Sequence, residues 1–224
     1  MVELIRGLDP ETVRVNLEHA RARIAAAAAV AGRAPADIEI LAAVKYVSVE
    51  ELGVLADAGI AVAGENRAQD LALKSAAHPG RFIWDFIGHL QSRKVKQVLP
   101  LVRYVHSVAS DSVLAQLERH GTPETEVLVE VNVAGEAGKS GIDPAALPAL
   151  LDRCPVRVVG LMTMPPLTGS AEASRPHFAA LRELAERHSL AQLSMGTSQD
   201  YGIAVEEGAT IVRLGSLLYL PSAS

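Results

Sequence analysis

Eight short apolar segments alternate with helical stretches along this 224-residue chain, and this alternation limits its fold more than any other feature. The segments are rich in β-branched residues and occupy residues 38–44, 60–64, 83–88, 104–107, 127–133, 156–162, 192–195 and 210–214. Strand-then-helix order implies parallel pairing with right-handed crossovers. Eight such strands predict an α/β fold, a single (β/α)8 TIM-type barrel that is compact beside the ~250 residues typical of this fold.

Signals for helix starts lie between the predicted strands. They stand at Asp9-Pro10-Glu11, at Ser48 with Glu51 (a capping box), at Ser110-Asp111 and at Asp143-Pro144. The Ala-rich first helix is expected to end near Gly32, and a short helix is expected over residues 199–208. Since the last predicted strand ends at residue 214, we expect a short or missing last helix, with the added N-terminal helix covering the gap.

No linker or change in composition divides the chain, so residues 1–224 are predicted to form one domain. Apolar residues make up 49% of the chain, which is enough for one sizeable core. The alternative is a doubly wound open sheet, which would bind its ligand where the strand order reverses. The chain contains neither G-x-G-x-x-G nor G-x-x-x-x-G-K, and this absence disfavours the open sheet.

Charge and hydropathy exclude several classes of partner. The net charge of −5 argues against binding to nucleic acid. The N-terminal residues lack the apolar region of a signal peptide, and the Ala-rich stretch at 24–31 is far shorter than the ~20 residues that cross a bilayer. The lone Cys154 fits a reducing compartment. We therefore expect a cytoplasmic protein without a membrane partner, and without a metal because no Cys/His cluster has ligand spacing.

Polar residues follow the predicted strands, whose carboxyl ends form the active face of such a barrel. Lys45 is the most distinctive of them, because it directly follows the apolar run of the first strand. A lysine desolvated there would shift toward the neutral amine, which attacks carbonyl groups to form a Schiff base. A lysine that extends from the strand end into water is an equal alternative.

Two loops, after the seventh and eighth strands, have the composition of phosphate-binding loops. Their candidate residues are Ser194, Gly196, Thr197, Ser198, Gly215 and Ser216. Barrels often bind phosphate at these two loops with the help of a helix N-terminus, which the helix near Gln199 would supply. Ordinary turn chemistry explains either loop alone, but the two together favour a phosphate.

Arg213 ends the last strand inside an apolar run, where a guanidinium would donate to a ring nitrogen or to an anion. An ion pair with Glu65 is an equal alternative, and Glu65 also fits the first turn of its own helix. His89 lacks an evident acid partner, and Met162 and Met164 are expected to pack. A Schiff-base lysine with a phosphate seat fits pyridoxal 5′-phosphate (PLP) or the sugar phosphate of a class I aldolase.

Several ordered segments are those of a known family: residues 43–45, 64–70, 86–92, 105–108, 131–133, 139–142, 160–164, 193–196 and 208–215. Through them the chain resembles the pyridoxal phosphate homeostasis proteins, an alanine-racemase-N-terminal-like family, over nearly its whole length. The chain departs from the common pattern at Arg67, Asp85 and Thr197 and in residues 217–220. The changes at Arg67 and Asp85 would alter the pocket rim or a partner surface.

The resemblance implies a fold-type III barrel that carries PLP as a Schiff base on Lys45. In such a barrel Arg213 would face the pyridine nitrogen and disfavour its protonation, which weakens the ring as an electron sink. The implied phosphate contacts are Ser194, Gly196, Thr197, Ser198, Gly215 and Ser216, and the implied ring contacts are Asn66, His89 and Met162.

Two functions remain for a PLP-binding barrel of this size. The resemblance implies a monomeric carrier, without catalytic residues, that stores and buffers PLP and passes it to apo-enzymes. The alternative is an amino-acid racemase, which needs two acid–base groups on opposite faces of the substrate. Lys45 would be one such group, but neither Tyr46 nor Tyr104 has an argument in favour of being the other.

Overall fold

The computed structural model describes residues 4–166 and 169–220, in which eight parallel strands close into a barrel in chain order. The last strand pairs with the first, so the sheet has no open edge. The strands are β1 (Glu39–Ala43), β2 (Val62–Glu65), β3 (Ile83–Phe86), β4 (Tyr104–Val108), β5 (Glu126–Glu130), β6 (Arg157–Met162), β7 (Gln192–Thr197) and β8 (Ile211–Leu214). Each overlaps its predicted segment, and the barrel prediction is confirmed.

Helices surround the barrel in the described part of the chain. They are α1 (Pro10–Val30), α2 (Leu52–Asp57), α3 (Ala68–Ala77), α4 (Val95–Val98), α5 (Asp111–His120), α6 (Leu147–Arg153), α7 (Arg175–Arg187), α8 (Tyr201–Glu206) and α9 (Ser216–Tyr219). The predicted caps at Asp9 and Ser110 are confirmed, because each side chain accepts a backbone N–H of the first turn. Asp143 caps the 3-10 turn that precedes α6.

The predicted capping box of Ser48 and Glu51 is wrong. Helix α2 begins at Leu52, and no side chain caps it. The Glu51 carboxylate instead accepts the backbone N–H groups of Gly7 and Leu8, at 2.8 and 2.9 Å. The N-terminal segment lies beside this turn, where Ile5 forms a β-bridge with Val47. Because the backbone N–H groups of this segment occupy the Glu51 carboxylate, Glu51 does not cap the helix.

The opening helix fills the place of a missing outer helix. Helix α9 is a single turn, and α1 packs against both α8 and α9. The Asn16 side chain donates to the backbone carbonyl of Leu220 at 2.9 Å, which joins α1 to the residue that follows α9. The expected short last helix is therefore confirmed for the described residues, and residues 221–224 of that predicted segment lie outside them.

The main apolar core lies between the strands and the helices, and a small separate apolar cluster of Leu41, Val62 and Ile211 lies inside the barrel. The barrel interior also holds buried polar side chains, which are described below. Across the described ranges, we find no helix of the length and hydropathy that a membrane span requires. Residues 1–3, part of the N-terminal segment that lacks signal-peptide character in the sequence, lie outside the described residues.

Candidate functional site

A cavity of about 420 Å³ opens at the carboxyl ends of the strands and brings most of the predicted residues together. The predicted residues that line it are Lys45, Asn66, Thr197, Ser198, Arg213, Gly215 and Ser216. The order of the closed sheet explains this, because β7, β8, β1 and β2 are consecutive neighbours around the barrel. We call this space the mouth cavity.

Lys45 lies at the edge of the mouth cavity, but it is exposed to solvent. Its Nζ stands over the ring of Tyr46, 4.8 Å from the ring centroid. Of the two alternatives that the sequence left open for this lysine, the structure supports the one in which it extends into water, and desolvation of Lys45 is wrong. Strand β1 ends at Ala43, so Lys45 falls in the following turn, beyond the part of the chain that neighbouring strands cover.

The loops after β7 and β8 meet at the mouth cavity, where the Gly215 N–H donates to Ser198 Oγ at 3.3 Å. Thr197 donates both its N–H and its hydroxyl hydrogen to Asp200, at 2.7 and 3.1 Å. As placed, Thr197 has no hydrogen left for an anion, whereas the hydroxyls of Ser198 and Ser216 line the cavity. The Asp200 carboxylate also stands at the start of α8, which disfavours a phosphate at that helix end.

Arg213 reaches the mouth cavity from inside the barrel, and its guanidinium is buried. Nη1 donates to the backbone oxygen and the hydroxyl of Ser194, at 2.7 and 2.6 Å. Nη2 donates to the carbonyl of Thr163 at 2.9 Å and contacts Met164 Sδ at 2.8 Å. Burial lowers the pKa of Arg213 to about 10, so the group stays cationic at neutral pH.

The alternative in which Glu65 pairs with Arg213 is wrong, because Glu65 pairs with Lys74 of α3. The Lys74 Nζ donates to the Glu65 carboxylate at 2.6 Å and to the carbonyl oxygen of Val44 at 2.7 Å, and both side chains are buried. Glu65 also accepts the N–H of Asn66, at 2.7 Å. This ion pair fixes the backbone next to Lys45 and at Asn66, two residues that line the mouth cavity.

Four predicted contacts lie away from the mouth cavity. The Ser194 hydroxyl is buried within the barrel and bonded to Arg213. Met162 is buried in β6, and His89 is exposed above a neighbouring cavity beside Arg67 and Lys94. Gly196 (φ +90°) lies against α8, where a Cβ would stand 2.5 Å from that of Ala204.

Tyr219 is a residue of the mouth cavity that the sequence did not predict. Its side chain is buried, and its hydroxyl has no hydrogen-bond partner among the described residues. Burial raises the pKa of Tyr219, so the hydroxyl keeps its proton and can donate it to a ligand. Because a buried hydroxyl without a partner is costly, this orphaned donor fits a cavity that binds a polar ligand.

The residues of the mouth cavity fit PLP. Lysine is the residue that condenses with an aldehyde, and the serine and glycine loops can surround a phosphate. Arg213 and the Tyr219 hydroxyl supply donors between them. In the described ranges, no group of three or more His, Cys, Asp or Glu side chains could hold a metal ion.

The chain matches no family model, but curated proteins are similar over most of its length. The pyridoxal phosphate homeostasis protein of Aquifex aeolicus is 38% identical over 211 residues, which cover 88% of this chain and 92% of that protein. The protein of the same name from Pseudomonas aeruginosa is 37% identical over 218 residues, with 93% and 95% covered.

Solved structures share the fold. An unknown protein from Bifidobacterium adolescentis is 30% identical, with a TM-score of 0.87 and 97% of this chain and 98% of that chain covered. PipY of Synechococcus elongatus, in a structure with PLP bound, is 29% identical, with a TM-score of 0.73 and 88% and 100% covered. A lysine/ornithine decarboxylase from Vibrio vulnificus (14% identical, TM-score 0.69, 94% and 62% covered) shares the fold alone.

The closed barrel and its mouth cavity define a (β/α)8 protein with a lysine and phosphate-type loops around one opening. The identities and coverages assign it further. The chain belongs to the pyridoxal phosphate homeostasis protein family.

Proposed function

We propose that this protein binds PLP covalently, as a Schiff base on Lys45, and stores, buffers and delivers it to apo-enzymes in the cytoplasm. The observation that carries the proposal is the placement of Lys45 and the loops after β7 and β8 around one cavity of about 420 Å³. When bound, PLP supplies an aldehyde that condenses with amines and a ring that draws electrons from them.

Within this proposal the phosphate is held by Ser198, Gly215 and Ser216. All three line the mouth cavity, and Ser198 and Gly215 are already joined by a hydrogen bond. Gly196 and Thr197 shape this loop, because Gly196 allows the close approach to α8 and Thr197 binds Asp200. Asn66 and Tyr219 contact the ring, and we propose no contact for His89 or Met162 because neither lines the cavity.

Arg213 favours carriage over catalysis. A guanidinium donates to the ring nitrogen and does not protonate it, so the ring remains a poor electron sink. The exposure of Lys45 also suits a cofactor that must leave again. A racemase would need a second acid–base group across the substrate from Lys45, whereas the Tyr46 ring lies directly under the Lys45 amine.

The test is the visible absorbance of the protein after loading with PLP. We expect wild type to show a Schiff-base band, and Lys45→Ala to lose it while circular dichroism stays unchanged. Lys96→Ala is the matched control, since Lys96 is an exposed lysine of α4, and it keeps the band. A band of full height in Lys45→Ala would contradict the proposal.

Delivery is tested by mixing the loaded protein with an apo-aminotransferase in the presence of a trap for free PLP. Recovery of aminotransferase activity despite the trap is the expected result. In addition, the loaded protein should not racemise any member of a panel of amino acids. Rapid turnover that depends on Lys45 would support the racemase and contradict the carrier.

A further inference from the structure

A chain of hydrogen bonds crosses the barrel interior below Arg213. The guanidinium Nη1 donates to Ser194 Oγ at 2.6 Å, Ser194 Oγ lies 2.8 Å from His106 Nδ1, and His106 Nε2 lies 3.1 Å from Asp85 Oδ2. Strands β4 and β7 are not neighbours, so His106 and Ser194 meet only across the interior. All four side chains are buried.

The hydrogen-bond chain ends at Asp85, whose carboxylate is held by Arg103 at the amino-terminal end of the barrel. Arg103 donates to Asp85 Oδ1 and Oδ2, at 3.1 and 2.7 Å. The same guanidinium donates to both oxygens of Glu39, at 2.9 and 2.6 Å. Asp85 therefore has a fixed orientation, with Arg103 on one side and His106 on the other.

The protonation states of Asp85 and His106 decide which group donates and which accepts in each hydrogen bond. Burial raises the pKa of Asp85, but hydrogen bonds from His106 and Arg103 outweigh it and hold the pKa below its usual range. Burial lowers the pKa of His106, so the ring is neutral at pH 7. Because the ionised Asp85 can only accept, His106 carries its proton on Nε2, and Nδ1 accepts the hydroxyl hydrogen of Ser194.

This direction also fixes Arg213. Since the Ser194 hydroxyl donates to His106, its oxygen is free to accept from the guanidinium. The four Nη hydrogens of Arg213 then have acceptors in Ser194, Thr163 and Met164. Only the Nε–H lacks an acceptor among the described residues, and it remains as the donor available to a ligand.

We propose that Asp85, His106 and Ser194 are positioning residues, which hold Arg213 in one orientation toward the ring nitrogen of the cofactor. This inference rests on the proposed function. If Arg213 is held in this way, the retention of PLP depends on the Asp85 carboxylate, which the side chains of His106 and Ser194 separate from Arg213. No residue of the chain Asp85–His106–Ser194 lines the mouth cavity itself.

The test compares Asp85→Asn with Glu39→Gln, its matched control. Both substitutions remove one carboxylate bound to Arg103, but only Asp85 contacts His106. We expect Asp85→Asn to release PLP ~10-fold faster than wild type, because the hydrogen bond between His106 and the charged carboxylate is weakened. Glu39→Gln should change the release rate by less than ~2-fold. Ser194→Ala is the second variant, with an expected effect of ~10-fold, and it decides the question if Asp85→Asn fails to fold.

Nitrogen NMR of wild type without PLP tests the direction of the hydrogen-bond chain, while the release rates of the variants test its role in positioning Arg213. We expect His106 to be neutral and protonated on Nε2. An imidazolium ring or an Nδ1–H tautomer would overturn the proposal, and so would release rates in Asp85→Asn and Ser194→Ala that equal that of Glu39→Gln. A wild type that forms no Schiff-base band would contradict the proposed function instead, and the tautomer would still decide the hydrogen-bond chain.

Discussion

The mouth of the barrel and its interior hold polar groups in opposite ways. At the mouth, Lys45 is exposed and Met164 is 52% exposed, so solvent and ligands reach both side chains. In the interior, Asp85, His106 and Ser194 are fully or almost fully buried, and each has defined hydrogen-bond partners. The groups that would exchange a cofactor are thus accessible, while those that would orient it are fixed. Substitutions in the two regions should therefore differ in their effects on stability and on PLP retention.

The largest effect is expected at the buried ion pair between Lys74 and Glu65. Lys74→Met leaves the Glu65 carboxylate buried without its partner, which should lower the free energy of unfolding by about 3–5 kcal/mol in urea titrations. Arg81→Met is the control, because Arg81 and Asp57 form an ion pair whose side chains are 48% and 69% exposed. Its cost should stay below about 1 kcal/mol. Equal losses of stability in the two variants would contradict the difference expected between a buried and an exposed ion pair.

A pair of glycines tests the wall of the mouth cavity. A Cβ on Gly88 would lie 2.2 Å from the backbone oxygen of Asn66, so Gly88→Ala should cost about 1–3 kcal/mol and also weaken PLP binding. A Cβ on Gly53, in α2, would meet no atom within 4 Å. Gly53→Ala should therefore stabilise by about 0.5–1 kcal/mol and leave binding unchanged. Thermal unfolding and PLP titration measure both effects; a stable Gly88→Ala with normal binding would refute the close approach.

The neutral state of His106 makes the stability depend on pH. Burial lowers its pKa in the folded protein, although Asp85 opposes the shift. Below about pH 6.5 the unfolded chain binds a proton on this ring and the folded protein does not, so stability falls as the pH decreases. From about pH 7.5 to 5.5 this group should contribute a loss of about 1 kcal/mol, measured in urea.

Two variants isolate this contribution. His106→Gln should remove that part of the slope, whatever its effect on stability at pH 7.5. His19→Gln should keep the slope, because His19 is exposed on α1. Identical pH profiles for wild type and His106→Gln would show that the buried ring does not titrate in this way.

The smallest effect is expected at Tyr219, which belongs to both regions because it is buried and yet lines the mouth cavity. Tyr219→Phe removes a hydroxyl without a partner, so the protein without PLP should unfold at the same free energy or up to about 1 kcal/mol higher. PLP should nevertheless leave about 3-fold faster, because a donor to the ligand is lost.

Tyr201→Phe is the matched control for Tyr219→Phe. Tyr201 is also buried, but its hydroxyl contacts Arg23 and does not line the mouth cavity. This control should lose about 0.5–1.5 kcal/mol of stability and leave the release of PLP unchanged. Faster release from Tyr201→Phe than from Tyr219→Phe would contradict the assigned role of Tyr219.

Much of the fold and of the mouth cavity could be predicted from the sequence. The β-branched runs located the strands, and parallel strands place their carboxyl ends together, so Lys45, Arg213 and Ser216 were expected at one opening. The sequence left the exposure of Lys45 open, because one or two residues beyond a strand end decide whether a side chain is covered. His89 lies away from the mouth cavity for the same reason, since β3 ends at Phe86 and leaves His89 three residues outside the sheet.

The partners inside the barrel could not be predicted. His106 and Ser194 are 88 residues apart and meet because of the register around the closed sheet, which includes irregular pairing of β4 with β5 and of β7 with β8. Glu65 forms its ion pair with Lys74, nine residues along the chain in α3, and not with Arg213. One signal was nevertheless present. Asp85 and His106 are ionisable residues within short apolar strands, a pattern that indicates polar contacts inside a barrel.

The attachment of PLP to Lys45 is the central claim, and reduction with borohydride followed by peptide mapping tests it most directly. Reduction converts the Schiff base to a stable secondary amine, and trypsin does not cleave at the modified lysine. We expect the label in one peptide that spans residues 34–67, uncleaved at Lys45. A label on Lys74 or Lys139, or a 34–45 peptide free of label in fully loaded protein, would contradict the account.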